Sequence, residues 1–319
     1  MLRCNLTTSG AAGNLLNVIQ YPLVMSTSAY RSVFRPGLFA GRVVLVTGAG
    51  SGIGRCTAHE LAALGASLAL AGRRADKLEK VAAEIAEAGA RASCHPVDIR
   101  DEDAVTAAVG DVIARHGRLD ALVNNAGGQF PAPIESISSR GWDAVVRTNL
   151  AGGFLVAREA YQQWMKAHGG AIVNMIADMW HGMPGMAHSG AARAGMLNFT
   201  ESAACEWAAS GVRVNAVAPG WIASSGLDTY DEATKAQLRR LRDVVPLRRF
   251  GTESEVSAAI AFLLSDAAAF ITGTCIRIDG GVPNARHTWP ARAPAHASGA
   301  TAAFDGFHLA SSPRMLDER

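Results

Sequence analysis

Arg42-Val43-Val44-Leu45-Val46-Thr47-Gly48-Ala49-Gly50-Ser51-Gly52-Ile53-Gly54 decides the fold. The apolar run before Thr47 is long enough for a buried parallel strand. A helical pattern follows from Cys56 to Leu64 and stops at Gly65, the place of a C′ glycine. A glycine motif gains meaning in this context of strand, tight turn and helix. Glycine lets backbone approach a pyrophosphate, and the helix N-terminus presents free N–H groups to it. Thr47, Gly48, Ser51, Gly52, Ile53 and Gly54 are therefore candidate dinucleotide contacts.

The next apolar run, Ser67–Ala71, ends at Gly72-Arg73-Arg74. NAD-binding proteins usually place an acid here to hold the ribose 2′-hydroxyl. Glycine followed by two arginines suits a 2′-phosphate instead, because glycine leaves room and guanidinium binds phosphate bidentately. The expected cofactor is NADP(H). The competing reading makes Arg73 and Arg74 solvated residues that open a helix at Asp76–Ala88.

Further apolar runs recur at Leu119–Val123, Ala171–Ile176, Val212–Ala218 and Ile276–Ile278, with helical stretches between them at Asp101–His116, Gly141–Ala167, Ala191–Ala209 and Glu253–Leu264. This rhythm predicts an α/β fold, a Rossmann-type doubly wound parallel sheet with helices on both faces, as a single domain. The expected division is an N-terminal extension at 1–37, the nucleotide-binding domain at 38–285 and a C-terminal tail at 286–319. A domain of this size buries most of its unfolded surface without staples. A net charge of +2 gives no case for nucleic acid or a membrane as partner. Five cysteines without metal spacing point to no metal and to a reducing, cytoplasmic compartment. Residues 1–36 contain no acid, which fits either a presequence or translation from Met25, the expected start. In the tail, Phe304, Phe307 and Leu309 offer docking groups, and the final Asp317-Glu318-Arg319 is not a peroxisomal address.

Thr-Gly-x-x-x-Gly-x-Gly, Asn124-Asn125-Ala126-Gly127, Asn149 in a helix and Pro219-Gly220 occur in the order that resembles the short-chain dehydrogenase/reductase family, over about residues 38–283. The resemblance implies cofactor contacts at Asp98 and Ile99 (adenine), Asn125, Ala126 and Gly127 (ribose), and Pro219, Gly220, Ile222 and Ser224 (nicotinamide and phosphates). It also implies a homotetramer, with the helices at 141–167 and 191–209 pairing through residues such as Phe154, Leu155 and Phe199. Gly128-Gln129-Phe130, Gly141-Trp142 and His188-Ser189-Gly190-Ala191-Ala192-Arg193 further resemble peroxisomal-type trans-2-enoyl-CoA reductases of fatty-acid metabolism and their bacterial relatives.

The departure lies at the catalytic segment. Where most of that family has Tyr-x-x-x-Lys, this chain has Ser189-Gly190-Ala191-Ala192-Arg193, and the family's upstream serine falls at Ala177. The tyrosine that some enoyl-CoA reductases carry eight residues later is Leu197. Alcohol oxidation needs a base titrating near working pH; serine is none, and arginine stays protonated. Enoyl-thioester reduction needs hydrogen-bond donors at a developing enolate oxygen. Ser189 can donate, Arg193 can hold a cofactor ribose, and Asn149 completes the expected catalytic set. Asp178, His181 and His188 are candidate proton sources. Against these stand plainer roles: Ser189 as a helix cap, Arg193 paired with a carboxylate, and Asn149 as a buried helix residue satisfied by backbone.

For an acyl-CoA or other apolar small-molecule substrate, Lys235, Arg239, Arg240, Arg242, Arg248 and Arg249 form either a phosphate entrance or a solvated face. Met179, Trp180, Met183, Met186 and Trp221 suit an acyl channel or a core equally. The leading expectation is NADPH-dependent reduction of the 2,3 double bond of trans-2-enoyl-CoA. The alternatives are an NAD(P)-dependent dehydrogenase of an apolar or terpenoid alcohol such as citronellol, and a nucleotide-binding scaffold with reduced catalysis.

Overall fold

The computed structural model describes residues 29–224, 226–227, 232–241, 243–284, 302–311 and 313–317. Cys4, Met25 and Arg242 lie outside the described residues. The chain builds a seven-stranded parallel sheet in the order β3-β2-β1-β4-β5-β6-β9. The strands are β1 (Val43–Thr47), β2 (Ser67–Gly72), β3 (Ala92–Pro96), β4 (Ala121–Asn124), β5 (Gly170–Met175), β6 (Val212–Pro219) and β9 (Cys275–Ile278). A two-residue pair, β7 (Ile222–Ala223) with β8 (Gly251–Thr252), stands beside it, with α8 (Glu232–Leu241) between the two in the chain. All five residues of β1 are buried, as a strand covered on both faces requires.

Helices α1 (Gly52–Ala63), α2 (Ala75–Glu87) and α9 (Glu253–Leu264) pack one face of the sheet through Leu61, Leu78, Ile85 and Ile260, all fully or nearly fully buried. Helices α3 (Glu102–His116) and α5 (Gly152–Ala160) cover the other through Val109, Val112, Val156 and Ala160. Gly65 takes φ +96°, the left-handed conformation expected of a residue that ends α1. Strand β3 escapes the sequence pattern because Ser93, Cys94, His95 and Pro96 carry no apolar run; it sits at the sheet edge, where only one side needs a ladder.

Two helices differ from expectation in ways that matter for the site. The stretch expected at 141–167 begins at Ser139, capped by Ser138 accepting from Gly141 N, and is not uniform. After α4 (Ser139–Val146) the backbone loosens into a π-turn at Arg147–Ala151 that carries Asn149, and a second follows at Tyr161–Met165 before α6 (Lys166–His168). The helix expected from Ala191 starts four residues earlier, as α7 (Ala187–Trp207). Among the described residues no helix is long and apolar enough to cross a membrane, and no cluster of His, Cys, Asp and Glu could hold a metal.

Candidate functional site

The turn after β1 is shaped by steric necessity. Gly48 has φ +66°, and a Cβ on it would stand 2.8 Å from Asn125 Nδ2; one on Gly54 would stand 2.4 Å from Gly48 O. Side chains at either position would force apart the β1 and β4 loops. Thr47 fastens those loops: its Oγ1 accepts from the N–H groups of Asn125 and Ala126, each at 2.9 Å. Asn125 Nδ2 returns a bond to Thr47 O at 2.9 Å. Thr47 and Asn125 are thus joined to each other, and shape the cradle. Ser51 occupies the N-cap of α1 in extended conformation without a side-chain cap, and the first turn holds no acid. The first N–H groups of α1 have no side-chain acceptor, which suits an anion.

A cleft opens in front of this turn, lined by Gly48, Gly50, Ser51, Gly72, Arg73, Arg74, Lys77, Asp98, Ile99, Arg100, Ala126, Gly127 and Thr148. Eight residues assigned from the sequence meet there: Gly48, Ser51, Arg73, Arg74, Asp98, Ile99, Ala126 and Gly127. The cradle and the uncapped helix fit a dinucleotide. The cations around the cleft are not equivalent. Arg74 forks Asp76 at 2.8 and 2.6 Å. Arg100 forks Asp98, holding that carboxyl down to about 2. Arg73 and Lys77 make no ion pair among the described residues, Arg73 reaching Asp98 only through its longer-range field. Lys77 escaped the sequence reading because it sits inside α2, where a lysine looks like any solvated helix residue.

Pro219 and Gly220 lie at the end of β6, where a Cβ on Gly220 would meet Asp279 Cα at 2.8 Å. Ile222 is buried on β7, and Ser224 follows it. These four do not line the cleft of the glycine turn. A second cleft lies beside them, lined by Trp221, Val245, Leu247, Arg249, Glu255, Arg277, Asp279 and Gly280. The basic segment is largely spoken for: Lys235 bonds Glu232 at 2.7 Å and Arg249 forks Glu255 at 2.8 and 2.6 Å. Trp180 lies beneath the Arg277 guanidinium, and Met179 packs with Ile176 and Met196.

Ser189, Arg193 and Asn149 converge through the loop after β4. Ser189 is in the first turn of α7 and is not its cap, a position held by Met186. Its buried Oγ donates to Gln129 Oε1 at 2.6 Å. Asn149 is satisfied by backbone: Nδ2 donates to Gly128 O (2.6 Å) and Val145 O (2.9 Å), while Oδ1 accepts from Gly128 N at 3.1 Å. The π-turn aims Asn149 at the loop, so Asn149 positions Gly128 and thereby Gln129. Gln129 escaped the sequence reading because its partner is sixty residues away.

Among the described residues Arg193 pairs with no carboxylate. Its Nη1 donates to Met175 O at 2.6 Å, and its buried Nε has no partner among the described residues. A Cβ on Gly127 would fall 2.6 Å from both Arg193 Nη2 and Asn149 Oδ1, so only glycine admits them together. Burial pulls the guanidinium down to about 10, and it stays charged at neutral pH. His188 Nδ1 accepts from Ser189 N at 3.0 Å, leaving the proton of a neutral ring on Nε2, which is buried with no partner among the described residues. His181 is exposed with φ +68°. Burial and the neighbouring Asp279 raise the Asp178 carboxyl, whose Oδ1 has no hydrogen-bond partner among the described residues.

A family model described as Enoyl-(Acyl carrier protein) reductase matches residues 48–283. The probable 2,4-dienoyl-CoA reductase [(2E)-enoyl-CoA-producing] of Bacillus subtilis (strain 168) is 39% identical over 244 residues, covering 75% of this chain and 96% of its own. The peroxisomal 2,4-dienoyl-CoA reductase [(3E)-enoyl-CoA-producing] of Danio rerio is 35% identical over 257 residues, covering 79% and 85%. Among solved structures, the citronellol catabolism dehydrogenase of Pseudomonas aeruginosa PAO1 is 60% identical with a TM-score of 0.73, covering 80% of this chain and all of that one.

Proposed function

The chain belongs to the short-chain dehydrogenase/reductase family as one of its oxidoreductases, and we propose that it is an NADPH-dependent reductase of the 2,3 double bond of trans-2-enoyl-CoA thioesters. The observation that carries this reading is the pair Ser189–Gln129 beside a permanently charged Arg193: it is rich in donors and holds no titrating base. When bound, the reduced cofactor supplies a hydride to the β-carbon. The π-electrons then move toward the thioester oxygen, where an enolate charge develops. Ser189 O–H and Gln129 NH₂ are the groups this chain places to meet that oxygen. In the resting arrangement the Ser189 proton is held by Gln129 Oε1. Rotation of the exposed amide turns its NH₂ toward Ser189 and frees the hydroxyl proton for the substrate. The α-carbon takes its proton from water or from Asp178.

A second reading, dehydrogenation of an apolar terpenoid alcohol, is favoured by the 60% identity to the citronellol catabolism dehydrogenase and by Asp178, whose raised carboxyl suits a base. A panel assay separates the two, following NADPH loss with enoyl-CoAs and NADP⁺ reduction with citronellol. Brisk alcohol oxidation without enoyl-CoA turnover refutes the first reading.

The NADPH preference rests on Arg73 and Lys77, the cleft cations outside ion pairs. Each charge-assisted bond to a 2′-phosphate contributes about 1.5–3 kcal/mol, so Arg73→Ala and Lys77→Ala each weaken NADPH binding about tenfold or more and leave NADH binding unchanged. Asp76→Asn releases Arg74 and strengthens NADPH binding. Equal affinities of the parent for both nucleotides, by fluorescence titration, would exclude this assignment.

Assembly as a homotetramer is supported by apolar residues exposed along α4 and α5. Trp142 and Phe154 are each 39% exposed, and Phe154 meets Phe199 edge to face. Light scattering at micromolar protein gives the tetramer mass if these faces pair, and a monomer mass refutes it.

A further inference from the structure

The residues at 29–34 and 302–311 lie outside the stretch that the family model matches, 48–283. In the fold they meet. Arg31 N donates to Gly306 O at 2.8 Å, and the Tyr30 and Phe307 rings stand 6.0 Å apart, both residues buried. A Cβ on Gly306 would fall 2.2 Å from Arg31 O, so the crossing is as close as backbones allow. Leu309, by contrast, stays 36% exposed.

This clasp grips two helices at once. On α9, Ser254 Oγ accepts from the N–H groups of Gly306 and Phe307, each at 3.2 Å. Thr252, which caps α9 through a capping box, donates its hydroxyl to Phe304 O at 2.6 Å. On α1, the fully buried Glu60 accepts from Tyr30 Oη at 3.1 Å and from Ser32 Oγ at 2.8 Å, and it also bonds Ser257 of α9. Arg55 of α1 lies over the Phe307 ring at 5.1 Å. Each contact is within about two and a half turns of a helix N-terminus, and one of those ends is the anion-receiving end of α1. The two ends adjoin: a Cβ on Gly52, the first residue of α1, would lie 3.8 Å from Oε1 of Glu253, the first residue of α9. The tail's Asp305 acts on the same carboxyl, which burial and Asp305 push up to about 7 against the pull of Arg55.

We propose that this clasp is coupled to the cofactor turn: docked, it holds the N-terminal ends of α1 and α9 in the arrangement that receives the dinucleotide pyrophosphate, so docking and nucleotide binding strengthen each other. The inference rests on the cofactor reading but not on the 2′-phosphate assignment, because the pyrophosphate is common to NADPH and NADH. Thermodynamic linkage makes the coupling reciprocal. Two measurements on the full chain therefore test it together.

In the first, the unmodified protein is digested with proteinase K, and loss of the C-terminal segment is followed by intact mass, with and without saturating NADPH or NADH. Nucleotide slows that cleavage about fivefold or more. In the second, Phe307→Ala weakens nucleotide binding by a matching factor, measured by fluorescence titration. Asp305→Ala, at an exposed position, weakens it in the same direction and serves if the Phe307 variant fails to fold. Nucleotide that binds without slowing tail cleavage overturns the clasp alone. Failure of both nucleotides to bind removes the cofactor reading and the clasp with it, whereas equal affinities for the two remove only the 2′-phosphate assignment.

Discussion

Ser189→Ala lowers the kcat for trans-2-enoyl-CoA reduction about tenfold to a thousandfold, the loss seen when one oxyanion donor is removed. Affinity for NADPH stays at the parent value, because the hydroxyl bonds Gln129 and no group of the cofactor cleft. Gln129→Ala produces a loss of similar size, and the two do not add, since each removes the same paired donor. Gln129→Glu is worse than Gln129→Ala, because a carboxylate beside the developing enolate repels the charge the site must stabilise. Asn149→Ala separates positioning from contact. It unties Gly128 from the π-turn, with the bonds at 2.6 and 3.1 Å lost, and its kinetic defect runs through Gln129. Rate loss for Asn149→Ala is therefore small in a Gln129→Ala background and large in the parent. Full turnover by Ser189→Ala refutes the assignment, and the polarising group must then be sought at His188 Nε2 or Asp178.

The buried strands of the parallel sheet, β3 excepted, and the glycine turn after β1 were legible in the sequence because they follow from short-range physics. A buried parallel strand needs a continuous apolar run, and a pyrophosphate turn needs glycine where backbone meets backbone, as at Gly48 and Gly54. Two kinds of feature were not legible. Strand β3 is held by its neighbour β2 and carries Ser93, Cys94 and His95, so nothing in its own pattern announces it. The division of labour among cations is likewise invisible to a count of charges. Arg73 and Arg74 are adjacent in sequence, yet one is tied to Asp76 and the other has no ion pair among the described residues. The long-range pairs Ser189–Gln129 and Tyr30–Phe307 join residues whose individual letters carry no sign of a partner. The tail residues Phe304, Phe307 and Leu309 did suggest docking; which of them docks was settled by the crossing at Gly306 and Arg31.

Arg193→Ala should differ from Ser189→Ala in kind, with losses in stability, in cofactor affinity and in rate. The guanidinium is buried and its charged bond to Met175 O, at 2.6 Å, ties α7 to the end of β5. Losing such a bond costs about 1.5–3 kcal/mol, which lowers Tm by several degrees in a domain of this size. Nη2 lies beside Gly127, in the loop assigned to the ribose by family resemblance, so NADPH affinity falls as well, by about tenfold or more. Arg193→Lys keeps the charge but loses the fork. One ammonium cannot hold Met175 O and reach toward Gly127 together, so the rescue is partial. The site is then tested from the opposite chemistry. Ser189→Tyr with Arg193→Lys installs a phenol whose acidity a neighbouring ammonium increases, supplying the titrating group that Ser189 and Arg193 do not provide. Because Ser189 is fully buried under Gln129, the ring needs Gln129→Ala to make room. That triple variant should gain carbonyl reduction and lose enoyl-CoA turnover. If instead the parent already reduces carbonyls as fast as the triple variant, Ser189 and Arg193 do not decide the reaction, and the proton must travel through Asp178.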